Sequence, residues 1–414
     1  MITAQPAKPS RRRWYLDAAI GLLLAIQPNV LLTGCQSNAA SGPTDGGSGS
    51  TGGAGGSGGP GSGGAGPGAG GNTMGTGGGA GGAATSGSGG AGAPDGATAD
   101  AGDGAAGSDS GSPGLVPPIM RADLDVLEFG SLMFKVRPSL GARITSFQLQ
   151  GDELLTDATE NPQYFGSTLW PSPADDWVVN MFAAPAIIDN QPYTTMVGAD
   201  DVITATSAAY TTPKNNKKFS VTKVFRADPA KQTVTIDYKI TNLGAAPYQL
   251  GHWEVTRVFP GGLTFFPTGT MSRVDFSNAG EPQAMQLQQA QGYTWYDNKT
   301  HVAGKGTSKS GSETEGGFIA HVAPHPNGDL LFVKAFKPIV PPSMPPPGHY
   351  DVELFCNDPP TYIELEEHSS YETIMPGATY TATVRWYLRR LPVGTDRSVG
   401  SASLIAAVKD LLAN

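Results

Sequence analysis

Four titratable residues fall in pairs on two short alternating runs. In Tyr362-Ile-Glu-Leu-Glu366 the carboxylates Glu364 and Glu366 recur with period two, and in Gly251-His-Trp-Glu254 the same spacing joins His252 to Glu254. On a strand, period two places both members of a pair on one face. A carboxylate and an imidazole brought together across a concave sheet can transfer protons near neutral pH. Two carboxylates about 5 to 10 Å apart across a cleft would instead suit glycan cleavage, with Glu364, Glu366, Asp175 and Asp176 as candidates. The same residue types also serve as a solvated strand face or as a hydrogen-bonded structural histidine.

Aromatic and acidic residues cluster nearby. Ser167-Thr-Leu-Trp-Pro-Ser-Pro-Ala-Asp-Asp-Trp177 carries Trp170, Asp175, Asp176 and Trp177, with Asn180 just beyond; Trp253 and Trp295 lie beside Glu254 and Asp297. Flat aromatic faces stack on the C–H face of a pyranose, and short acids and amides bind its hydroxyls. Trp170 and Trp177 flank prolines and acids and form the preferred platform. About half of the tryptophans are expected in the core instead.

Other chemistries find less support. His321 and His325 are four apart, but Pro324 and Pro326 break any helix that would align them, so no metal and no cofactor are expected. Cys356 reads as a buried structural thiol rather than a nucleophile. No Ser/His/Asp arrangement has a nucleophile-elbow context. Pro341-Pro-Ser-Met-Pro-Pro-Pro347 reads as a polyproline loop between strands.

These residues need strands to position them, and the pattern supplies strands throughout. Val234, Ile236, Tyr238 and Ile240 alternate with polar residues, as do Tyr380, Ala382, Val384, Trp386 and Leu388. Similar runs occur near 132–136, 144–149, 219–225, 252–259, 330–336, 352–355 and 362–365, with Gly, Pro, Asn and Asp turns between them. After Ser401, residues Leu404, Ile405, Val408, Leu411 and Leu412 share a helical face. The expected fold is all-β: a large antiparallel sandwich with a short C-terminal helix.

The N-terminal third is of another kind. Arg11-Arg12-Arg13 precedes an apolar stretch from Ala18 to Ile26, and Leu32-Thr33-Gly34-Cys35 has the form of a bacterial lipobox. Ser10-Arg11-Arg12-Arg13-Trp14 also has the look of a twin-arginine export signal. From Ser37 to about Pro118 the chain is Gly, Ser, Ala, Thr and Pro with scattered Asp, and offers almost nothing to bury. The organisation expected is a signal peptide over 1–34, a lipidated Cys35 and Gly/Ser-rich tether over 35–118, and one β domain over 119–414. Its place would be the periplasmic face, the outer membrane or the cell surface, held through the lipid on Cys35. The formal net charge is -9 and no Lys/Arg cluster exists outside the n-region, so nucleic acid is not an expected partner.

Several segments resemble a known family. Leu140–Leu155 looks like the opening hairpin of galactose-mutarotase-like (aldose 1-epimerase-like) domains, and Asn161-Pro-Gln-Tyr-Phe-Gly166 resembles the Asn-Pro-Tyr-Phe-Gly stretch that follows it. Tyr362–Glu366, then Met375-Pro-Gly-Ala-Thr-Tyr380 and a final strand, is similar to the closing segment of that family. The stretch Ser167–Trp177 resembles that of an uncharacterised bacterial subgroup with this fold. The resemblance spans about residues 125–390 and implies a galactose-mutarotase-like supersandwich. It further implies Glu366 as the base at the anomeric hydroxyl and His252 as the acid at the ring oxygen. Asn161, Glu254 and Glu364 would join Trp170, Asp175, Asp176 and Trp177 in holding a sugar. The family's Gly-Arg motif and its Leu-His-Gly-Gly loop have no counterpart here, so two substrate-holding residues of the true epimerases are absent. The leading expectation is therefore a membrane-tethered protein binding carbohydrate on the concave sheet face. An epimerase using Glu366 and His252, and a glycan-cleaving enzyme using paired carboxylates, are the alternatives.

Overall fold

The computed structural model describes residues 115–121, 123–179, 184–198, 201–269, 275–277 and 284–413. Cys35, the signal segment, nearly all of the Gly-rich stretch and Asn180 lie outside them. In chain order the strands are β1 (Leu115–Arg121), β2 (Leu124–Phe129), β3 (Leu132–Arg137), β4 (Arg143–Leu149), β5 (Asp152–Glu153), β6 (Ser167–Ser172), β7 (Thr194–Val197) and β8 (Ile203–Thr206). There follow β9 (Tyr210–Thr211), β10 (Lys218–Asp228), β11 (Thr233–Asn242), β12 (Tyr248–Val258), β13 (Leu263–Pro267), β14 (Asp275–Ser277), β15 (Leu287–Ala290) and β16 (Tyr293–Asp297). The last are β17 (Ser308–Ser312), β18 (Phe318–Ala323), β19 (Leu330–Phe336), β20 (Val352–Cys356), β21 (Ile363–His368), β22 (Glu372–Ile374) and β23 (Thr379–Arg390). β1 opens at Leu115, four residues ahead of the domain boundary expected at 119.

Two antiparallel sheets result. The first runs β1-β2-β3-β4-β6-β12-β21-β20-β17-β14, with β5 beside β4 and β22 beside β12; the second runs β15-β16-β13-β18-β19-β23-β11-β10-β8-β7, with β9 beside β10. Their facing sides meet in an aromatic core. Phe134 of β3 stands edge-on to Trp386 of β23 at 5.8 Å, and Phe147 of β4 meets Phe332 of β19 at 6.2 Å. Each such side chain contributes roughly 1.5–3 kcal/mol by leaving water. The expected sandwich is the observed one, and the alternating runs at 233–240, 330–336 and 379–388 are β11, β19 and β23.

The C-terminal helix Ala402–Ala413 starts where Ser401 Oγ accepts the Leu404 N–H at 3.3 Å. It buries Leu404, Ile405 and Val408 in a second cluster with Phe265 and Trp295. Trp295 stacks on Phe265 at 4.3 Å, so it is a core residue on the second sheet and no part of a sugar platform. Gly166 supplies the turn into β6. Its φ is +61°, and a Cβ there would stand 2.2 Å from the Ile144 carbonyl oxygen, so only glycine fits. Among the described residues no helix is long and apolar enough to cross a membrane.

Candidate functional site

β12 divides the candidate residues between two faces. It lies between β6 and β21, with Trp253 opposite Trp170 on one side and His368 on the other, Val255 opposite Glu366, and Arg257 opposite Glu364. Directly opposed residues share a face. Trp170, Trp253, Arg257, Glu364, Glu366 and His368 therefore look away from the second sheet. His252, Glu254 and, on β21, Glu367 look toward it.

The outer face is polar, aromatic and buried. Trp253 Nε1 donates to Glu366 Oε2 at 2.5 Å, and Lys309 Nζ of β17 donates to the same carboxylate at 2.8 and 3.0 Å. Lys309 also reaches Glu353 of β20 at 2.7 Å, so one ammonium joins two carboxylates. Burial, together with Glu364 and Glu353, pushes the Glu366 carboxyl up to about 8 against the pull of Lys309. Burial raises Glu353 too, but there Lys309 and the imidazoles of His349 and His368 prevail and hold it well below the usual range. Arg257 donates to Glu364 at 2.8 Å, and its guanidinium lies over the rings of Tyr164 and Trp170 at 5.4 and 5.5 Å.

Aromatic rings floor this face. Trp170 meets Trp253 edge-on at 5.0 Å and Trp177 at 6.4 Å, while His368 stacks on Trp253 at 5.3 Å and lies 4.4 Å from the ring of His349. The next strand fits closely against the loop that carries His349. A Cβ on Gly311 would stand 2.1 Å from Tyr350 Cδ2, so the bare backbone of β17 is what seats Tyr350.

The inner face holds a second cluster. Tyr238 of β11 donates to Glu254 at 2.6 Å, Ser167 donates to it at 3.1 Å, and Lys334 of β19 pairs with both Glu254 and Glu367. Burial raises both carboxyls; Lys334 reverses this at Glu254, while at Glu367 the charge of Glu254 adds to it. The two carboxyls are thus shifted apart, Glu254 downward and Glu367 upward. With His252, Tyr238 and Tyr380 they line a cavity of about 300 Å³ between the sheets. His252 Nδ1 lies 3.1 Å from Ser369 Oγ, its ring is 4.7 Å from that of Tyr380, and burial lowers it to about 3.

This geometry corrects the expected pairing. Glu366 and His252 project from opposite faces of one sheet and do not share a pocket, because their positions on β21 and β12 differ in parity. Period two does put Glu364 with Glu366, and His252 with Glu254, but on separate sides. The platform expectation also changes: Trp170 and Trp177 are 3% and 4% exposed and pack into the aromatic cluster instead of standing open. Their indoles are engaged, Trp170 Nε1 with Asp189 and Trp177 Nε1 with the Pro171 carbonyl. Asp176 is tied to Lys217 at 2.6 Å, whereas Asp175 is exposed on the surface. Asn161 Oδ1 accepts the N–H groups of Gln163 and Tyr164 and so shapes a turn. The carboxylates expected for glycan cleavage, Glu364 and Glu366 on one side and Asp175 and Asp176 on the other, are thus engaged in ion pairs except for Asp175.

Four outer-face residues escape the sequence reading: Lys309, His349, Glu353 and His368. A readable signal existed for two of them, since His349 and Glu353 are four apart and Glu353 alternates with apolar residues of β20. Lys309 sits in Ser-Lys-Ser-Gly-Ser, which has no strand signature although all five residues are buried.

The chain matches no family model and no curated protein. Among the solved structures it resembles are several galactose mutarotase-like or aldose 1-epimerase-like proteins, together with a TPR-domain containing protein from Parabacteroides distasonis. A galactose mutarotase-like protein from Clostridium acetobutylicum is 10% identical with a TM-score of 0.44, over 68% of this chain and 99% of the other. One from Lactobacillus casei is 11% identical with a TM-score of 0.45, over 64% and 100%. A galactose mutarotase related enzyme from Lactobacillus acidophilus is 9% identical with a TM-score of 0.43, over 67% and 100%. The functional reading rests on the residues themselves.

Proposed function

We propose that this protein binds carbohydrate on the outer face of its first sheet and is held at a membrane through a lipid on Cys35. One observation carries the binding reading. The face turned away from the core collects Trp253, Trp170 and Tyr164 around the Lys309–Glu353–Glu366 and Arg257–Glu364 ion pairs. A face that served only to cover the sheet would be apolar or loosely solvated. Fixed charged donors and acceptors are what a sugar's hydroxyls require, and Tyr164, part of which remains exposed, offers a ring for its C–H face, with Trp170 and Trp253 packed behind them.

A glycan-array screen of the purified chain tests this. Wild type should retain a defined set of glycans, and Trp253→Ala and Glu366→Ala should lose them. An array without any retained glycan overturns the binding reading. For the anchor, Cys35→Ser should move the protein from the membrane to the soluble fraction, and equal membrane retention overturns it.

A further inference from the structure

We propose that His349, Glu353 and His368 form a binding site for one divalent transition-metal ion, with zinc the best fit. The three residues come from the loop before β20, from β20 and from the end of β21. Their donor atoms all lie within 4.8 Å of one another. His349 Nδ1 is 3.3 Å from Glu353 Oε1, and His368 Nε2 is 3.4 Å from Glu353 Oε2. Ligands bound at about 2.0–2.1 Å around a tetrahedral zinc stand roughly 3.3–3.4 Å apart. Each of these two spacings has that length, although the imidazoles face different oxygens of Glu353; the donor atoms all lie within 4.8 Å of one another, so a small turn of the carboxylate and the rings would close them on one ion.

A second observation points the same way. His368 is 1% exposed, yet neither ring nitrogen makes a hydrogen bond among the described residues. Its Nε2 lies 3.4 Å from the Glu353 carboxylate, close enough for an ion-pair contact but without a well-formed hydrogen bond. A buried imidazole without a hydrogen bond is costly, and buried polar groups in native proteins are nearly always satisfied. A metal ion at Nε2 removes that cost at one nitrogen.

The donor set selects the ion. Two imidazoles and one carboxylate suit zinc and its first-row neighbours, whereas calcium and magnesium take oxygen ligands. Three protein ligands leave a fourth position open. His349 is the most exposed of the three and marks the solvent side. The Tyr350 N–H donates to Glu353 Oε1 at 3.1 Å, which holds the His349 loop against the carboxylate. Lys309 is the counter-force. Its ammonium sits 2.7 Å from Glu353 Oε2 and competes with a cation for that oxygen. The site shares Glu353 with the face proposed to bind carbohydrate, but metal uptake is read without any glycan, so either can fail alone.

The test uses the full chain, stripped with a chelator and dialysed against zinc, with bound metal counted by mass spectrometry. One ion per chain at about 0.1 mM free zinc is expected. Cobalt in place of zinc should give the intense visible absorption of a tetrahedral site. His368→Ala and His349→Ala should each weaken binding by roughly tenfold or more, while Lys309→Met should leave it unchanged or tighten it. Less than one ion per chain in wild type overturns the proposal, whether or not the variants fold. So does binding that His368→Ala leaves intact, or a pale octahedral cobalt spectrum.

Discussion

The indole N–H of Trp253 donates to Glu366 across the β12–β21 ladder at 2.5 Å, so the carboxyl is held from below by a neutral donor and from the side by Lys309. Glu366 has no exposed surface, which makes these two partners its environment in place of water. This arrangement fixes where the carboxyl points and sets when it ionises.

Glu366→Gln should therefore flatten a pH dependence. The folded state raises this carboxyl from 4.5 to about 8. Its contribution to stability is then full below pH 4.5 and is lost as pH rises through about 8. Urea midpoints at pH 5 and pH 9 should fall further in wild type than in the glutamine variant. Identical slopes would show that Glu366 ionises as it does in the unfolded chain.

Lys334→Met should destabilise the protein by about 3–5 kcal/mol near neutral pH, because the charge that offsets the burial of Glu254 would be gone. Adding Glu254→Gln should recover most of that loss. Denaturant titrations of the single and double variants check this, and additive losses would argue against coupling.

Cys356 should be inert in the native state. The thiol is fully buried, Asn298 Nδ2 donates toward it at 3.5 Å, and burial pushes it up to about 11. A disulfide reagent at pH 8 should label it only after denaturation. Fast labelling of the folded chain would contradict its place in the core.

Lys223 should titrate with the opposite sign to Glu366. Burial lowers its ammonium from 10.5 to about 7, while its Nζ donates to the Gly141 carbonyl at 2.7 Å. Below pH 7 both folded and unfolded chains carry the charge, and the folded state bears the full cost of burying it. Between pH 7 and 10.5 the folded state sheds the proton first. Wild type should then gain on Lys223→Met by at most about 1.4 kcal/mol per pH unit. Calorimetry at pH 6.5 and 9.5 measures the difference.

Much of the sandwich was readable because its central strands alternate: Thr233–Asn242 and Thr379–Arg390 bury one face and announce it. Ser308–Ser312 was not, since a strand covered on both sides loses its period, and Ser-Lys-Ser-Gly-Ser holds no apolar residue to mark it. Within the site, period two located Glu364 and Glu366 correctly relative to each other, and His252 relative to Glu254. It could not relate one strand's parity to the other's, because that depends on the register Val255 with Glu366, a long-range pairing. The burial of Trp170 and Trp177 was equally illegible, since neighbouring prolines and acids look the same beside a core indole as beside an open one. Signal, lipobox and tether rest on the sequence alone.

Gly311 makes the chemistry of the outer face depend on a methyl group. Alanine there would add no charge and remove no hydrogen-bonding group, yet its Cβ would occupy the space of the Tyr350 ring. The ring would have to lift, and His349 is joined to it by one peptide bond. A relative of this protein could thus retain every polar residue of the site while carrying a larger side chain at 311, and would then hold its imidazole out of register with Glu353. Identity at that one apolar position is a sharper criterion for an equivalent site than identity at any of the charged ones.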